Sequence, residues 1–114
     1  MHNTDLLPAL KALAHETRLR MIELLLTHNL CVRALAASLH ISEAAASQHL
    51  QILRKAGLVK GEKQGYWTHY AVQTDALARL GERIEGMPSQ SADFRDLNLD
   101  LCATSTSGQN EGGD

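Results

Sequence analysis

The 114-residue chain contains few aromatic residues, few cysteines and no long apolar run. Its aromatic residues are Tyr66, Trp67, Tyr70 and Phe94, and its cysteines are Cys31 and Cys102. No apolar run could cross a bilayer, and no basic segment followed by an apolar one opens the chain, so we expect a cytoplasmic protein with no membrane partner. In that compartment, two cysteines favour reduced, metal-binding or redox-sensing thiols over a structural disulfide.

The motifs of common enzymes are missing as well. The sequence has no glycine-rich loop that would cradle a phosphate, no zinc-protease helix and no carboxylate pair placed in an obvious cleft. Ser, His and Asp occur, but no spacing sets them as a triad. We therefore expect a binding protein rather than an enzyme, and the length fits one small domain.

The pattern of residues 42–57 predicts a helix with one polar face. Ser42 is a suitable N-cap, because its hydroxyl can accept a bond from an amide of the first turn. Leu50, Leu53 and Ala56 recur at helical spacing and form an apolar stripe, and Gly57 fits the position just past the last turn. The opposite face carries donors and acceptors that suit a nucleic-acid reader, namely Ser47, Gln48, His49, Gln51, Arg54 and Lys55.

The neighbouring segments predict a helix-turn-helix followed by a wing. Residues 31–39 form a short amphipathic helix, and residues 40–42 form a brief turn with Ile41 as its apolar plug. After the recognition helix, residues 58–62 and 66–72 have strand character, and residues 63–65 are predicted to turn between them. The expected fold is mainly α with a small β-hairpin wing (α+β), that is, a winged helix-turn-helix.

Three further helices are predicted, over residues 4–14, 16–27 and 74 to about 87. Pro8 is tolerable only in or near the first turn of its helix. Thr74 is expected to cap the last helix and Pro88 to end it. Leu19, Ile22, Leu25 and Leu26 are expected to face inward in the second helix, and Leu77, Leu80 and Ile84 are expected to line one face of the last.

The domain organisation follows from these helices. In so small a chain, apolar stripes on the first and last helices have little to cover within one subunit, so we predict a homodimer that pairs through them. Residues 1–88 are then the DNA-binding and dimerisation domain. Residues 89–114 are a polar, partly disordered tail, in which residues 91–102 retain some apolar character.

The charge distribution favours DNA as the partner, although the chain carries a net charge of −2. Residues 31–72 hold five basic and two acidic residues, and residues 73–114 hold three basic and eight acidic ones. Positive charge therefore lies where phosphates would be neutralised. We expect Arg54, Lys55, Lys60 and Lys63 to contact phosphates. Base contacts are expected from at least one of Ser47, Gln48 and His49, with Gln suited to adenine, and Ser42 and Gln51 belong to the same interface. Tyr66, Trp67 and Tyr70 are interpreted as hairpin packing.

Four stretches carry a resemblance to a known family. Residues 10–20 (LKALAHETRLR), 47–50 (SQHL), 53–59 (LRKAGLV) and 65–70 (GYWTHY) resemble the arsenic-repressor (ArsR/SmtB) family of winged-helix transcriptional repressors. The likeness extends over residues 9–72. It implies a dimer through the terminal helices, a pseudo-palindromic double-stranded DNA operator, and DNA binding that requires no cofactor.

The resemblance also draws attention to Cys31. Metal-sensing members of the family begin the helix before the recognition helix with Cys-Val-Cys, whereas this chain has Cys31-Val32-Arg33. A soft inducer such as As(III) or Cd(II) needs two or three thiolates, so Cys102 is the supplementary candidate, and His28 could add a nitrogen for Zn(II) or Cd(II). Oxidation or persulfidation of the thiols, a regulator without cysteine chemistry and a protein–protein adaptor are the alternatives.

A second family sensor site, with the pattern Asp-x-His…His-x-x-Glu on the last helix, is not expected. Asp75 is present, but Leu77 stands where the first histidine should be, and no histidine follows Tyr70. His15, at the start of the second helix, is interpreted as a cap or structural residue rather than as a ligand.

Overall fold

The computed structural model describes residues 3–90, and side chains within residues 6–89. In this part of the chain, five α-helices, three strands and a 3-10 helix follow one another. The helices are α1 (Asn3–Leu13), α2 (Glu16–Thr27), α3 (Val32–Leu39), α4 (Glu43–Lys55) and α5 (Thr74–Gly86). The strands are β1 (Leu30–Cys31), β2 (Val59–Gln64) and β3 (Trp67–Val72), and the 3-10 helix is Met87–Gln90. No helix within residues 3–90 is long and apolar enough to cross a membrane.

Helices α3 and α4 form the predicted helix-turn-helix. His40 adopts a left-handed conformation (φ 57°, ψ 44°) that turns the chain sharply after α3. The backbone N–H of Ile41 donates to the carbonyl of Ala36 at 3.0 Å and closes the end of that helix. Ser42 is the N-cap of α4, and its Oγ accepts from the Ala45 amide at 3.0 Å. The predicted cap and turn are therefore confirmed.

The C-terminal end of α4 is closed by a Schellman motif. Gly57 takes the left-handed conformation (φ 78°), and its N–H donates to the Arg54 carbonyl at 2.9 Å. The Leu58 N–H donates to the Leu53 carbonyl at 3.0 Å, which satisfies a second terminal carbonyl. A connection of only three residues, 56–58, therefore joins the recognition helix to β2.

The wing is a hairpin within a three-stranded antiparallel sheet of order β1-β3-β2. Strands β2 and β3 end at the pair Gln64 and Trp67, so the turn is Gly65–Tyr66. The predicted turn at residues 63–65 is wrong, because Gly65 (φ 66°) begins a tight two-residue loop and Lys63 still pairs within the strand. Strand β1 was not predicted, and it pairs with the middle of β3, at His69 and Tyr70.

The core lies beneath α4 and the inner end of the sheet. Its fully buried large side chains are Met21, Leu35, Leu53, Leu58 and Val59. In α2 the inward face consists of Met21, Ile22 and Leu25, whereas Leu19 and Leu26 are 47% and 49% exposed. The inward prediction for those two leucines is wrong. The three buried residues span about 100° of the helix, and the two leucines lie beyond the Ile22 edge of that arc.

The terminal helices depart from prediction in three details. Pro8 lies inside α1, past the first turn. Thr74 is the first residue of α5 rather than its cap, and the carbonyl of Gln73 accepts from Leu77 N at 3.1 Å. Pro88 lies within the 3-10 helix after α5. A proline is tolerated there because the first amides of a helical turn have no hydrogen-bond partner within the turn, so the missing N–H costs nothing.

The chain divides into two compact units, Met1–Arg83 and Ile84–Asp114. The first contains the helix-turn-helix, the sheet and the core. Of the second, the structure describes the last turn of α5 and the 3-10 helix, where Ser89 Oγ donates to the Gly86 carbonyl at 2.7 Å. The segment 91–102 and the rest of the predicted tail lie outside the described residues.

Candidate nucleic-acid interface

The outward face of α4 presents the polar side chains that the sequence predicted. Ser47, Gln48, Gln51, Arg54 and Lys55 are exposed, while Leu50 and Leu53 hold the other face against the core. The Arg54 Nε donates to Gln51 Oε1 at 3.2 Å, which orients an amide and a guanidinium side by side. Amides and guanidinium groups are the side chains best suited to hydrogen bonding with base edges and phosphates.

His49 differs from its neighbours on α4. Its ring is half-buried, its Nδ1 lies 3.2 Å from Nη1 of Arg18, and its centroid is 4.7 Å from that of His15. Burial lowers the pKa of His49 below the ordinary value of 6.5, and the nearby charges of His15 and Arg18 lower it further. The neutral imidazole is therefore the favoured form at this position.

Arg18 is a functional candidate that the sequence did not reveal. Its Nε donates to the carbonyl of Ala12 at 2.6 Å and its Nη2 to that of Lys11 at 3.4 Å. With the contact to His49, this guanidinium joins the end of α1, the start of α2 and the recognition helix. His15 is confirmed as a cap, because its Nδ1 accepts from the Thr17 amide at 3.1 Å.

The wing adds cations and aromatic rings beside α4. Lys60 and Lys63 are exposed on β2, and Lys60 Nζ lies 3.6 Å from Glu62 Oε2, both side chains being more than half exposed. Tyr70 is half-buried against the core, as predicted for hairpin packing. Tyr66, at the turn, is 88% exposed, and its ring packs edge-on against that of Trp67 within the hairpin, with the centroids 5.3 Å apart.

Cys31 is a free, half-buried thiol at the junction of β1 and α3. It occupies the N-cap position without a side-chain cap bond and pairs across the sheet with His69, whose Nδ1 is buried without a partner. Within residues 6–89, no three His, Cys, Asp or Glu side chains lie close enough to hold a metal ion. His28 is exposed beside Thr27, and Cys102 lies outside the described residues. A soft-ion site at Cys31 is thus incomplete in the described part of the chain.

These elements define the chain as a winged helix-turn-helix protein of the kind that regulates transcription. Residues 15–60 match the model of the bacterial regulatory proteins of the arsR family. A transcriptional activator, HlyU of Vibrio cholerae, is 34% identical over 82 residues, which are 72% of this chain and 76% of HlyU. The arsenical resistance operon repressor of Escherichia coli is 46% identical over 77 residues, 66% of this chain and 65% of the repressor. The chain therefore belongs to the ArsR family of transcriptional regulators.

The solved structures agree with this assignment. The homodimeric winged helix-turn-helix DNA-binding domain of a possible ArsR-family regulator from Mycobacterium bovis has a TM-score of 0.64 and 27% identity. The match covers 84% of each chain. It therefore includes the sheet as well as the helix-turn-helix.

Proposed function

We propose that this regulator is a repressor that binds a pseudo-palindromic operator as a homodimer, with α4 of each subunit in the major groove and each wing against the adjacent backbone. The observation that carries the proposal is the outward face of α4, where polar side chains are exposed in a row along a helix whose other face is fixed to the core. Two such helices related by a two-fold axis would meet half-sites about one helical turn apart.

The residues divide into two roles under this proposal. Ser47, Gln48 and Gln51 contact base edges, and His49 supports them from the partly buried edge of the same face. Phosphates are contacted by Arg54 and Lys55 at the end of α4 and by Lys60 and Lys63 on β2. The N-cap residue Ser42 contacts a phosphate at the start of α4. The cations supply affinity for any duplex, and the polar side chains of α4 supply the preference for the operator.

The homodimer is proposed to form through α1 and α5. Leu7 is exposed on α1, and Leu77 is only partly covered on α5, so each helix retains apolar surface for a second copy. The Mycobacterium bovis domain is a homodimer, which supports pairing of two copies. Sedimentation equilibrium tests it: a Leu7→Glu variant is expected to shift the protein toward monomer and to lose operator affinity with it.

The recognition role is tested with DNA from the region upstream of the protein's own gene. We expect Gln48→Ala to reduce the preference for that DNA over a scrambled duplex by at least about thirtyfold, because the dimer loses one base contact, worth about 1 kcal/mol or more, in each of two half-sites. Asn29→Ala is the matched control, because it truncates another exposed carboxamide in the loop before β1. Equal effects of the two variants, or binding insensitive to salt, would favour a protein–protein adaptor instead.

We further propose that a thiol-directed signal at Cys31 releases the DNA. Support comes from the position of the thiol, half-buried where β1 meets the first helix of the helix-turn-helix. An As(III) or Cd(II) ion would need Cys102 as a second thiolate, whereas oxidation or persulfidation can begin at Cys31 alone. The relative named as an arsenical resistance operon repressor supports the soft-ion form of the proposal.

The signal is tested by adding As(III), Cd(II), Zn(II) and a persulfide donor in turn to the reduced protein on its DNA. Release by As(III) or Cd(II) that is lost in both Cys31→Ser and Cys102→Ser would establish a shared soft-ion site. Release by the persulfide donor alone would establish thiol modification as the signal. A Cys31→Ser protein that still responds to the same agents would contradict a role for Cys31.

A further inference from the structure

Arg18 makes three polar contacts that join separate helices beside the recognition helix. From α2, its guanidinium reaches two carbonyls at the end of α1, those of Ala12 and Lys11, and the Nδ1 of His49 on α4. The carbonyls fix the guanidinium, since Nε and Nη2 are both engaged there. The remaining Nη1 therefore presents a hydrogen-bond donor at a fixed place beside α4.

His49 can accept that donor only while Nδ1 is unprotonated, because both ring nitrogens are donors in the imidazolium. The charged and titratable groups that face it are the Arg18 guanidinium and the His15 ring on α2. On α4 itself, the residues three and four positions away are Ala45, Ala46, Ile52 and Leu53, none of which carries charge. Lys11 on α1 contributes a backbone carbonyl to Arg18 rather than a contact to the ring.

We infer that Arg18 is a positioning residue that sets the orientation of α4 through neutral His49, and that protonation of His49 breaks this contact and lowers the discrimination between operator and other DNA. An imidazolium at His49 would place a second cationic group beside the Arg18 guanidinium, and the repulsion would act between α2 and α4. The inference rests on the proposed DNA-binding role of α4.

The sign of the pH effect separates this mechanism from direct attraction of the imidazolium to DNA. A new positive charge on α4 strengthens binding to any duplex through the phosphates. If His49 acted only in that way, affinity for operator and for scrambled DNA would rise together in acid. The positioning mechanism instead predicts that the ratio of the two affinities falls as His49 is protonated.

The experiment combines fluorescence anisotropy on operator and scrambled duplexes with NMR titration of the His49 ring, at matched ionic strength. In the wild type we expect the affinity ratio to fall about tenfold through the His49 titration, as a hydrogen bond to a charged group is lost. His49→Gln removes the titration and is expected to show a flat ratio. His15→Asn keeps an N-cap acceptor for Thr17 but removes the neighbouring ring, so both the NMR midpoint and the fall should move to higher pH.

Arg18→Lys keeps the charge but cannot make the three contacts at once, and Arg18→Met removes the charge. Both should lower discrimination at neutral pH and weaken its dependence on pH, and NMR spectra verify that each variant is folded. A wild-type ratio that stays constant while His49 titrates, or a His15→Asn profile unchanged in midpoint, would overturn the inference. A wild-type protein that does not prefer operator at neutral pH would instead reject the proposed function. In that case the NMR midpoint of His49 still tests the contact: a midpoint in Arg18→Met equal to that of the wild type would reject it.

Discussion

Lys63 offers a quantitative test of the proposed interface. It is exposed on β2 and forms no ion pair or hydrogen bond among the side chains described, whereas Lys60 lies 3.6 Å from the Glu62 carboxylate. Each phosphate that a protein neutralises contributes about −0.9 to the slope of log K against log salt concentration. A dimer carries Lys63 twice, so Lys63→Ala is expected to reduce the magnitude of the slope by about 1.8.

The assay is anisotropy of a labelled duplex between about 50 and 200 mM salt, a range in which phosphate contacts dominate the change in affinity. Lys60→Ala is the comparison: its ammonium is already partly balanced by Glu62, so its effect should be smaller. Glu62→Gln should strengthen binding. A Lys63→Ala slope equal to that of the wild type would show that the wing does not lie against the backbone, whatever the loss in affinity.

Three further predictions concern stability and are measured by urea unfolding. Ser42→Ala removes the N-cap acceptor of α4 and should lower the free energy of unfolding by about 1 kcal/mol, and an unchanged value would contradict the cap's contribution. Gly57→Ala should lower the free energy of unfolding by roughly 1 kcal/mol. A methyl group at this position would meet no atom within 4 Å, so the loss would come from the left-handed backbone alone. An unchanged free energy of unfolding would contradict that strain. His49 binds a proton less readily folded than unfolded, because its pKa is lowered in the folded state. Its contribution to stability is therefore complete above pH 6.5 and is lost as the pH falls through the folded-state pKa, and His49→Gln should reduce this pH dependence.

Local signals predicted the recognition helix well. Ser42 and Gly57 mark its two ends because a cap hydroxyl and a left-handed glycine act within one turn of the chain. Helix α2 has the predicted bounds for a similar reason. Its inward face was misassigned because leucine and methionine are equally apolar, so the sequence does not show which arc of the helix meets the core.

Features that depend on distant partners were not visible in the sequence. Strand β1 is two residues long and has no alternation of its own, and it exists because β3 offers hydrogen bonds to Leu30 and Cys31. Arg18 and His49 are separated by 31 positions, so nothing local predicts their contact. The wing turn was displaced because the sequence does not reveal where strand pairing stops.

The Schellman motif at Gly57 has a consequence for the DNA that this protein can accept. Three residues, Ala56, Gly57 and Leu58, separate α4 from β2; the Schellman hydrogen bonds hold them and the Leu58 side chain is fully buried, so the joint between helix and wing has little freedom to move. The distance between the recognition helix and the wing is therefore nearly fixed. A duplex whose groove spacing does not match that distance must bend or twist to be bound. The free energy of that deformation depends on the base sequence, including positions that the protein does not contact.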